Sequence, residues 1–479
     1  MMNILLVSPK RELAKGQPFP PLGLLSIASV LRLHNHSVEI LDRDVDATPF
    51  SSIMLRFKPE VVGFSTYTGY MLNDAIKLSQ NVKQHSNAIV IWGGVHPTLL
   101  PNLCLKETYI DITILGEGEY VMPKIIDNLI NNKPLNQIDG IGFKDNGTII
   151  INPQKKFIDL HELPLPAWDL IKVKKYYQHW AGANKLLRIY SSKGCPNQCG
   201  FCYNQAYHKS TWRGKSCEQL IEEIKYLKHN YKINGIGFTD DLFTFDKERM
   251  NQFCNILLKE QININWYCNA RIGLTHHELD NMKKAGCKCI YFGIESGSSK
   301  MLKIIRKGIV LSKVQETFEY CRKIGISTVA SFIIGFPDEN EIDLQETISF
   351  ALGLKASIYD FSIYKCYPGT RFYQNIIEKG IFKEPKDMKE WINISSWDNA
   401  TANFSNIPSS DLKVVCNFFV IQSIINSLLN DVNTLWGYVH FFKIIKVIKN
   451  VIGIAINLIL SKATLKKYNL KIELKKNIV

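Results

Sequence analysis

Cys195, Cys199 and Cys202 fall within one short loop, Gly194-Cys195-Pro196-Asn197-Gln198-Cys199-Gly200-Phe201-Cys202, just after the strand-like run 186–190. Soft thiolates grouped this tightly suit an iron–sulfur cluster or zinc. Structural zinc sites draw their ligands as two close pairs, and no second pair of matching spacing stands elsewhere in the chain. Three thiolates on a four-iron cubane leave one iron without a protein ligand, and chemistry can happen there. Core packing explains the trio poorly, because three cysteines within eight residues beside Gly194, Pro196 and Gly200 would be an odd way to pack a core.

Other polar residues stand where strand-like runs end. They are Asp240 and Asp241 in Thr239-Asp240-Asp241, Arg271 after Trp266-Tyr267-Cys268-Asn269-Ala270, and Glu295 in Phe292-Gly293-Ile294-Glu295. Gly335-Phe336-Pro337 and Tyr367-Pro368-Gly369-Thr370 close two later runs. No Ser-His-Asp or Cys-His set accompanies them, so a protein nucleophile is not expected. The elements that carry these residues are six runs, 186–191, 235–239, 265–269, 289–293, 327–334 and 360–364, with helical stretches between them. Chemistry in such strand–helix arrays gathers at the carboxyl ends of the strands.

Upstream, apolar runs at 4–8, 38–42, 61–65, 88–93 and 112–115 alternate with amphipathic stretches such as 24–33, 73–84 and 119–131. That alternation predicts an α/β domain built on a doubly wound parallel sheet, with ligands at the carboxyl ends of its strands. The segments leaving those ends hold Ser65 and Thr66, Gly93, Gly94 and Thr98, and Gly116 and Glu117. Glycines there let backbone amides approach a ligand. Residues 140–152 read as a hairpin turning at Asp145-Asn146-Gly147, and the Pro-rich 163–168 breaks regular structure. The predicted divisions are 2–132, a linker over 133–182, a catalytic domain over 183–400, and a helical basic region over 401–479.

The cysteine loop, with the aromatic Phe201 before its third cysteine, resembles the signature of the radical S-adenosylmethionine (radical SAM) superfamily. The resemblance implies a 4Fe-4S cluster on Cys195, Cys199 and Cys202 and a partial (β/α)6 barrel. It implies that the open iron chelates S-adenosylmethionine, whose reductive cleavage yields methionine and a 5′-deoxyadenosyl radical. Phe201, Asp240, Asp241, Arg271, Glu295 and Gly335 are then cofactor-binding residues, with Glu295 accepting hydroxyl or amino protons of S-adenosylmethionine. One of the two aspartates could serve only as a helix cap, and Arg271 and Glu295 could simply pair across neighbouring strand ends. Residues 2–132, with Pro20-Pro21-Leu22-Gly23, resemble the cobalamin-binding domain that precedes many radical SAM domains. Ser65, Thr66, Gly93, Gly94, Thr98, Gly116 and Glu117 would line its site. The Asp-x-His-x-x-Gly motif that supplies a cobalt ligand in other cobalamin domains is missing. His96 is read as a hydrogen-bonding residue rather than that ligand.

This domain order is similar to that of cobalamin-dependent radical SAM methyltransferases, which implies methyl transfer to an unactivated carbon of a small molecule or lipid. An oxidative cyclase, a radical SAM enzyme without cobalamin, and a non-catalytic membrane-associated protein are the alternatives. An external electron donor such as flavodoxin or ferredoxin is implied, as is anaerobic chemistry. The chain has 479 residues, 46% of them hydrophobic, enough for two or three packed domains. Its 12 cysteines are scattered outside the loop and fit a reducing compartment, and residues 3–7 read as a strand rather than an export signal. A cytoplasmic protein is expected.

The net charge is +14, and residues 434–479 hold nine lysines and one acidic residue, +8 of that total. Aromatics cluster ahead of most of these lysines, which favours a membrane surface over nucleic acid. In 435–461, His440, Lys443, Lys446, Asn450, Gly453, Asn457 and Ser461 fall on one helical stripe with apolar residues around it. Peripheral membrane docking and packing on the barrel both remain open for this segment.

Overall fold

The structure, a computed structural model, describes residues 1–11, 18–394, 403–430 and 461–471. It divides into two units. One comprises residues 1–176, 203–209 and 382–401, and the other 177–202, 210–381 and 402–479.

The first unit is built on a seven-stranded sheet of β1 (Asn3–Ser8), β2 (Ser37–Asp42), β3 (Val61–Ser65), β4 (Ile89–Gly93), β5 (Ile112–Ile114), β6 (Ile141–Asp145) and β7 (Thr148–Asn152). The order is β2-β1-β3-β4-β5-β6-β7, with the first five strands parallel. Ile4, Leu5, Leu6 and Val7 are all buried, as expected of a strand covered on both faces. The helix Leu22–Leu33 buries Leu24, Leu25, Ala28 and Leu31, one stripe at the helical period. Strand order reverses between β1 and β3, so ligand loops are expected at the carboxyl ends around that point.

The hairpin does not belong to a linker. β6 pairs antiparallel with β5, and β7 with β6, so residues 140–152 extend the first sheet. Without β6, β5 would present an unpaired row of backbone groups. The first unit therefore runs past the expected boundary at 132 to residue 176, and residues 382–401 also belong to it.

The second unit holds β8 (Gln178–Trp180), β9 (Ala183–Ile189), a small ribbon of β10 (Ser192–Gly194) and β11 (Trp212–Gly214), then β12 (Gly235–Phe238), β13 (Asn265–Ala270), β14 (Cys287–Glu295), β15 (Ser327–Ile334) and β16 (Ile358–Ile363). The main sheet has the order β16-β15-β14-β13-β12-β9-β8. Six strands are parallel and β8 is an antiparallel edge, which gives the expected partial (β/α)6 barrel. Ala183, Leu186, Tyr267, Cys289, Val329 and Ile358 form one cluster on its inner face. Two residues further along their strands, the same face carries Arg188, Asn269, Tyr291, Ser331 and Asp360, so an apolar floor gives way to a polar layer.

The helix Ser409–Asn430 packs along β16. Phe419 stacks on Phe361 with centroids 3.9 Å apart, and the Tyr359 amide donates to Ser423 Oγ at 2.8 Å. That hydrogen bond satisfies a backbone group which an edge strand would leave free. Most of the lysine-striped segment 435–461 lies outside the described residues. Among the described residues, no helix is long and apolar enough to cross a membrane.

Candidate active site

The cysteine loop leaves the carboxyl end of β10. Gly194 takes φ +84°, and its amide donates to Asp241 Oδ2 at 3.2 Å. Cys199 is buried, while Cys195 and Cys202 are half-buried. The loop is clamped at Gly200, whose amide donates to Ile305 O at 2.9 Å and whose carbonyl accepts from the Phe372 amide at 3.1 Å. A Cβ at Gly200 would press on the Phe372 ring at 3.3 Å. Two donors face the sulfurs. Asn197 Nδ2 lies 3.2 Å from Cys195 Sγ, and Arg271 Nη1 lies 3.9 Å from Cys199 Sγ.

Three thiolates at this spacing suit a cluster, in which each thiolate binds a different iron. The cysteines of the core differ in kind. Burial pushes the thiols of Cys254 and Cys287 far up and that of Cys321 to about 12, so they stay protonated.

The two aspartates have separate environments. Asp240 is buried, and its carboxylate accepts from the Ser191 amide at 2.7 Å and from the Ser191 and Ser192 hydroxyls at 2.5 Å each. Burial pushes its carboxyl up, against these hydrogen bonds. Asp240 thus ties β12 to the start of the cysteine loop. Asp241 is exposed and keeps the Gly194 amide as its partner.

Glu295 ends β14 at a bulge, where the β14–β15 register shifts between Gly293 and Glu295. Its backbone is left-handed, φ +72°, a strained state for a residue with a side chain and one that clusters at functional sites. The carboxylate is buried and accepts from Lys307 Nζ at 2.8 Å. A Cβ at Gly293 would meet Glu295 Oε1 at 2.5 Å, so a larger residue there would displace the carboxylate from this position. Phe201 packs on Phe336 with ring centroids 5.5 Å apart. Gly335, φ +80°, and Phe336 donate their amides to Glu339, whose other oxygen is buried with no partner among the described residues. Burial raises the Glu339 carboxyl to about 7.

In the first unit the expected ligand-loop residues gather at the carboxyl ends of β3, β4 and β5. The Thr66 amide donates to Gly93 O at 2.8 Å, Thr98 Oγ1 donates to Gly94 O at 2.6 Å, and the Gly116 amide donates to Thr98 Oγ1 at 2.9 Å. Ser65 ends β3 half-buried, and buried Glu117 accepts from the Ile158 amide at 3.1 Å. Gly94 has φ +97° and ψ −165°, a conformation open essentially to glycine alone. A Cβ there would meet Thr66 O at 2.6 Å. Gly94→Ala is therefore expected to lower cobalamin retention at least about tenfold and to cost roughly 1–3 kcal/mol of stability, as read by bound-cofactor absorbance and thermal unfolding.

His96 is fully buried. Its Nδ1 pairs with Thr68 Oγ1 at 3.0 Å, its ring lies edge-to-face with Trp391, and its Nε2 has no partner among the described residues. Burial holds the ring neutral, with its pKa lowered from 6.5 to about 3. Across that window the unfolded chain binds the proton that the folded chain refuses, so stability falls as pH drops below 6.5. Wild type is expected to lose about 3 kcal/mol through this group by pH 4.5. His96→Gln escapes that loss, so the difference in unfolding midpoint between the two proteins should shift in the variant's favour from pH 7 to pH 4.5.

Two family descriptions match this architecture, the Radical SAM superfamily over residues 189–351 and the B12 binding domain over residues 14–126. An uncharacterized methyltransferase of Pyrococcus horikoshii is 34% identical over 393 residues, covering 80% of this chain and 84% of that protein. The chain belongs to the radical SAM superfamily. Within it, the anaerobic magnesium-protoporphyrin IX monomethyl ester cyclase of Synechocystis is 27% identical over 72% of each chain. The fold is similar to that of the radical SAM methyltransferase TsrM from Kitasatospora setae, solved with cobalamin and a [4Fe-4S] cluster. That match has a TM-score of 0.67 and 17% identity, and covers 80% of this chain and 76% of the other. The cofactors of these two domains are a 4Fe-4S cluster with S-adenosylmethionine, and cobalamin.

Sequence reasoning missed several residues of the radical SAM site. Asn197, two positions after Cys195, could have been noticed as a donor by its place in the loop. Lys307 carries a weak signal, a lysine before glycine in Arg306-Lys307-Gly308. Ser191, Ser192 and Glu339 carry none, because their partners lie in other elements or are backbone amides.

Proposed function

We propose that this radical SAM enzyme is a cobalamin-dependent methyltransferase acting on an unactivated carbon of a small molecule or lipid. The observation that carries the proposal is one barrel mouth where Arg271 faces Cys199 Sγ and Glu295 stands on a strained bulge beside Lys307. The similarity to the Pyrococcus horikoshii methyltransferase supports the reaction class. When bound, the cluster and S-adenosylmethionine supply a 5′-deoxyadenosyl radical and cobalamin carries the methyl group.

The chain's own residues position and shield. Cys195, Cys199 and Cys202 hold the cluster, and Asn197 and Arg271 offer hydrogen bonds to the sulfurs of Cys195 and Cys199. Glu295 Oε1 is occupied by Lys307, which leaves the other oxygen to accept hydroxyl or amino protons of S-adenosylmethionine. Asp241 is exposed and able to accept a ligand proton, whereas Asp240 orients Ser191 and Ser192. Phe201, Gly335 and Phe336 form an apolar wall suited to an adenine ring. Ser65, Thr66, Gly93, Gly94, Thr98, Gly116 and Glu117 would shape the cobalamin loops, and the buried His96 is held by Thr68. The polar layer of Arg188, Tyr291, Ser331 and Asp360 suits a substrate bearing hydrogen-bonding groups. An external one-electron donor such as flavodoxin or ferredoxin completes the system.

Anaerobic purification in the presence of cobalamin tests the assignment. About one cobalamin per chain is expected, with a base-off spectrum unchanged in His96→Ala. Failure to retain cobalamin would point to a radical SAM enzyme that works without it. The similarity to a cyclase favours an oxidative cyclase as second reading. The two readings separate with methyl-deuterated S-adenosylmethionine, whose label enters the product only if a methyl group is transferred.

A further inference from the structure

The helix Ser299–Ile304 ends in an unusual turn. The Arg306 amide donates to Lys303 O at 3.1 Å, and the Lys307 amide reaches back to Leu302 O at 3.0 Å. This pattern normally places glycine in the left-handed position, but here Arg306 occupies it with φ +54°. Gly308 follows with φ +63°, so left-handed residues flank Lys307 on both sides.

Three contacts make this turn more than a helix stop. Ile305 O accepts from the Gly200 amide, in the middle of the cysteine loop. Lys307 Nζ lies 2.8 Å from Glu295 Oε1, both side chains being about nine-tenths buried. A Cβ at Gly308 would meet Arg271 Nη2 at 3.4 Å, so the turn also abuts the guanidinium that faces Cys199. One four-residue segment thus touches the cluster loop, Glu295 and Arg271.

We infer that Lys307 is a positioning residue for Glu295, and that residues 305–308 hold the cysteine loop, Arg271 and Glu295 in register for S-adenosylmethionine. Glu295 sits on a bulge, in a strained backbone state, with a glycine-sized gap under its carboxylate. The buried ammonium of Lys307 fixes the direction of that side chain, engaging one oxygen, supplying the counter-charge, and leaving the second oxygen for the ligand. This inference rests on the role proposed above for Glu295.

The test is the affinity of cluster-loaded, anaerobic protein for S-adenosylmethionine, read from the change it causes in the electron paramagnetic resonance of the reduced cluster. Glu295→Gln and Lys307→Met should each weaken binding roughly 10- to 100-fold. The double variant should add less than about threefold, because both changes disable one device. Lys307→Arg, which keeps the charge, should recover most of the affinity, and iron content should stay at the wild-type level throughout. Wild-type affinity in Lys307→Met beside a weakened Glu295→Gln overturns the inference, as does full additivity in the double variant. Wild-type affinity in Glu295→Gln overturns instead the proposed role of Glu295. Should Lys307→Met fail to load its cluster, Lys307→Gln and Lys307→Arg decide: a weakened Gln variant beside a near-wild-type Arg variant supports positioning by charge, and equal affinities contradict it.

Discussion

Cys199→Ala is expected to strip the protein of its iron, from about four atoms per chain to less than about one, and to reduce cleavage of S-adenosylmethionine to background. Cys199 is the buried member of the trio and the one that Arg271 faces, so its loss removes both a ligand and the sulfur that the guanidinium contacts. The fold should survive, because removing one sulfur from a loop clamped at Gly200 costs on the order of 1 kcal/mol. Cys287→Ala makes the opposite prediction. That thiol is buried and hydrogen-bonds Cys289 O at 3.6 Å, so its removal should lower the unfolding midpoint and leave iron content unchanged. Iron analysis and thermal unfolding on the two variants check both halves.

The second large effect is expected at Glu295. Glu295→Ala should weaken S-adenosylmethionine roughly 10- to 100-fold, the scale of one or two hydrogen bonds to a charged group, with the cluster retained. Truncation also leaves the Lys307 ammonium buried without its partner, a condition that adds to the cost. Glu295→Gly separates chemistry from strain. Glycine adopts φ +72° without penalty, so this variant should be more stable than Glu295→Ala yet bind no better. Equilibrium binding and thermal unfolding of the pair read the two quantities independently.

Much of this site is legible in the sequence. The cysteine loop announced itself by spacing, and Arg271 and Glu295 by their places at strand ends. Apolar runs of four to eight residues marked both sheets to within a few positions, since strands buried on two faces have little choice of composition. Tertiary pairing was less visible. The 140–152 hairpin reads locally as an isolated turn, and only its pairing with the edge of β5 makes it part of the first sheet. Asp240 and Asp241 are chemically identical in the sequence. They differ because Asp240 turns inward toward Ser191 and Ser192, which lie some fifty residues earlier in the chain. Lys307 was missed for the same reason: its partner is twelve residues away across a turn that needs two left-handed residues. Burial of His96 could not be read from a histidine before proline, although its hydrogen-bonding partner, Thr68, agrees with the role expected of it.

Both proposed reactions, methyl transfer and oxidative cyclisation, begin with the same event at the barrel mouth. The arrangement of Cys195, Cys199, Cys202, Arg271 and Glu295 is accounted for by that event alone, whatever the substrate. The most direct measurement is chromatographic quantification of 5′-deoxyadenosine from anaerobic, cluster-loaded wild-type protein given S-adenosylmethionine and a strong one-electron reductant. At least about one equivalent per cluster is predicted, falling to background in Cys199→Ala. A fully loaded, reduced wild-type protein that forms no 5′-deoxyadenosine would contradict the account.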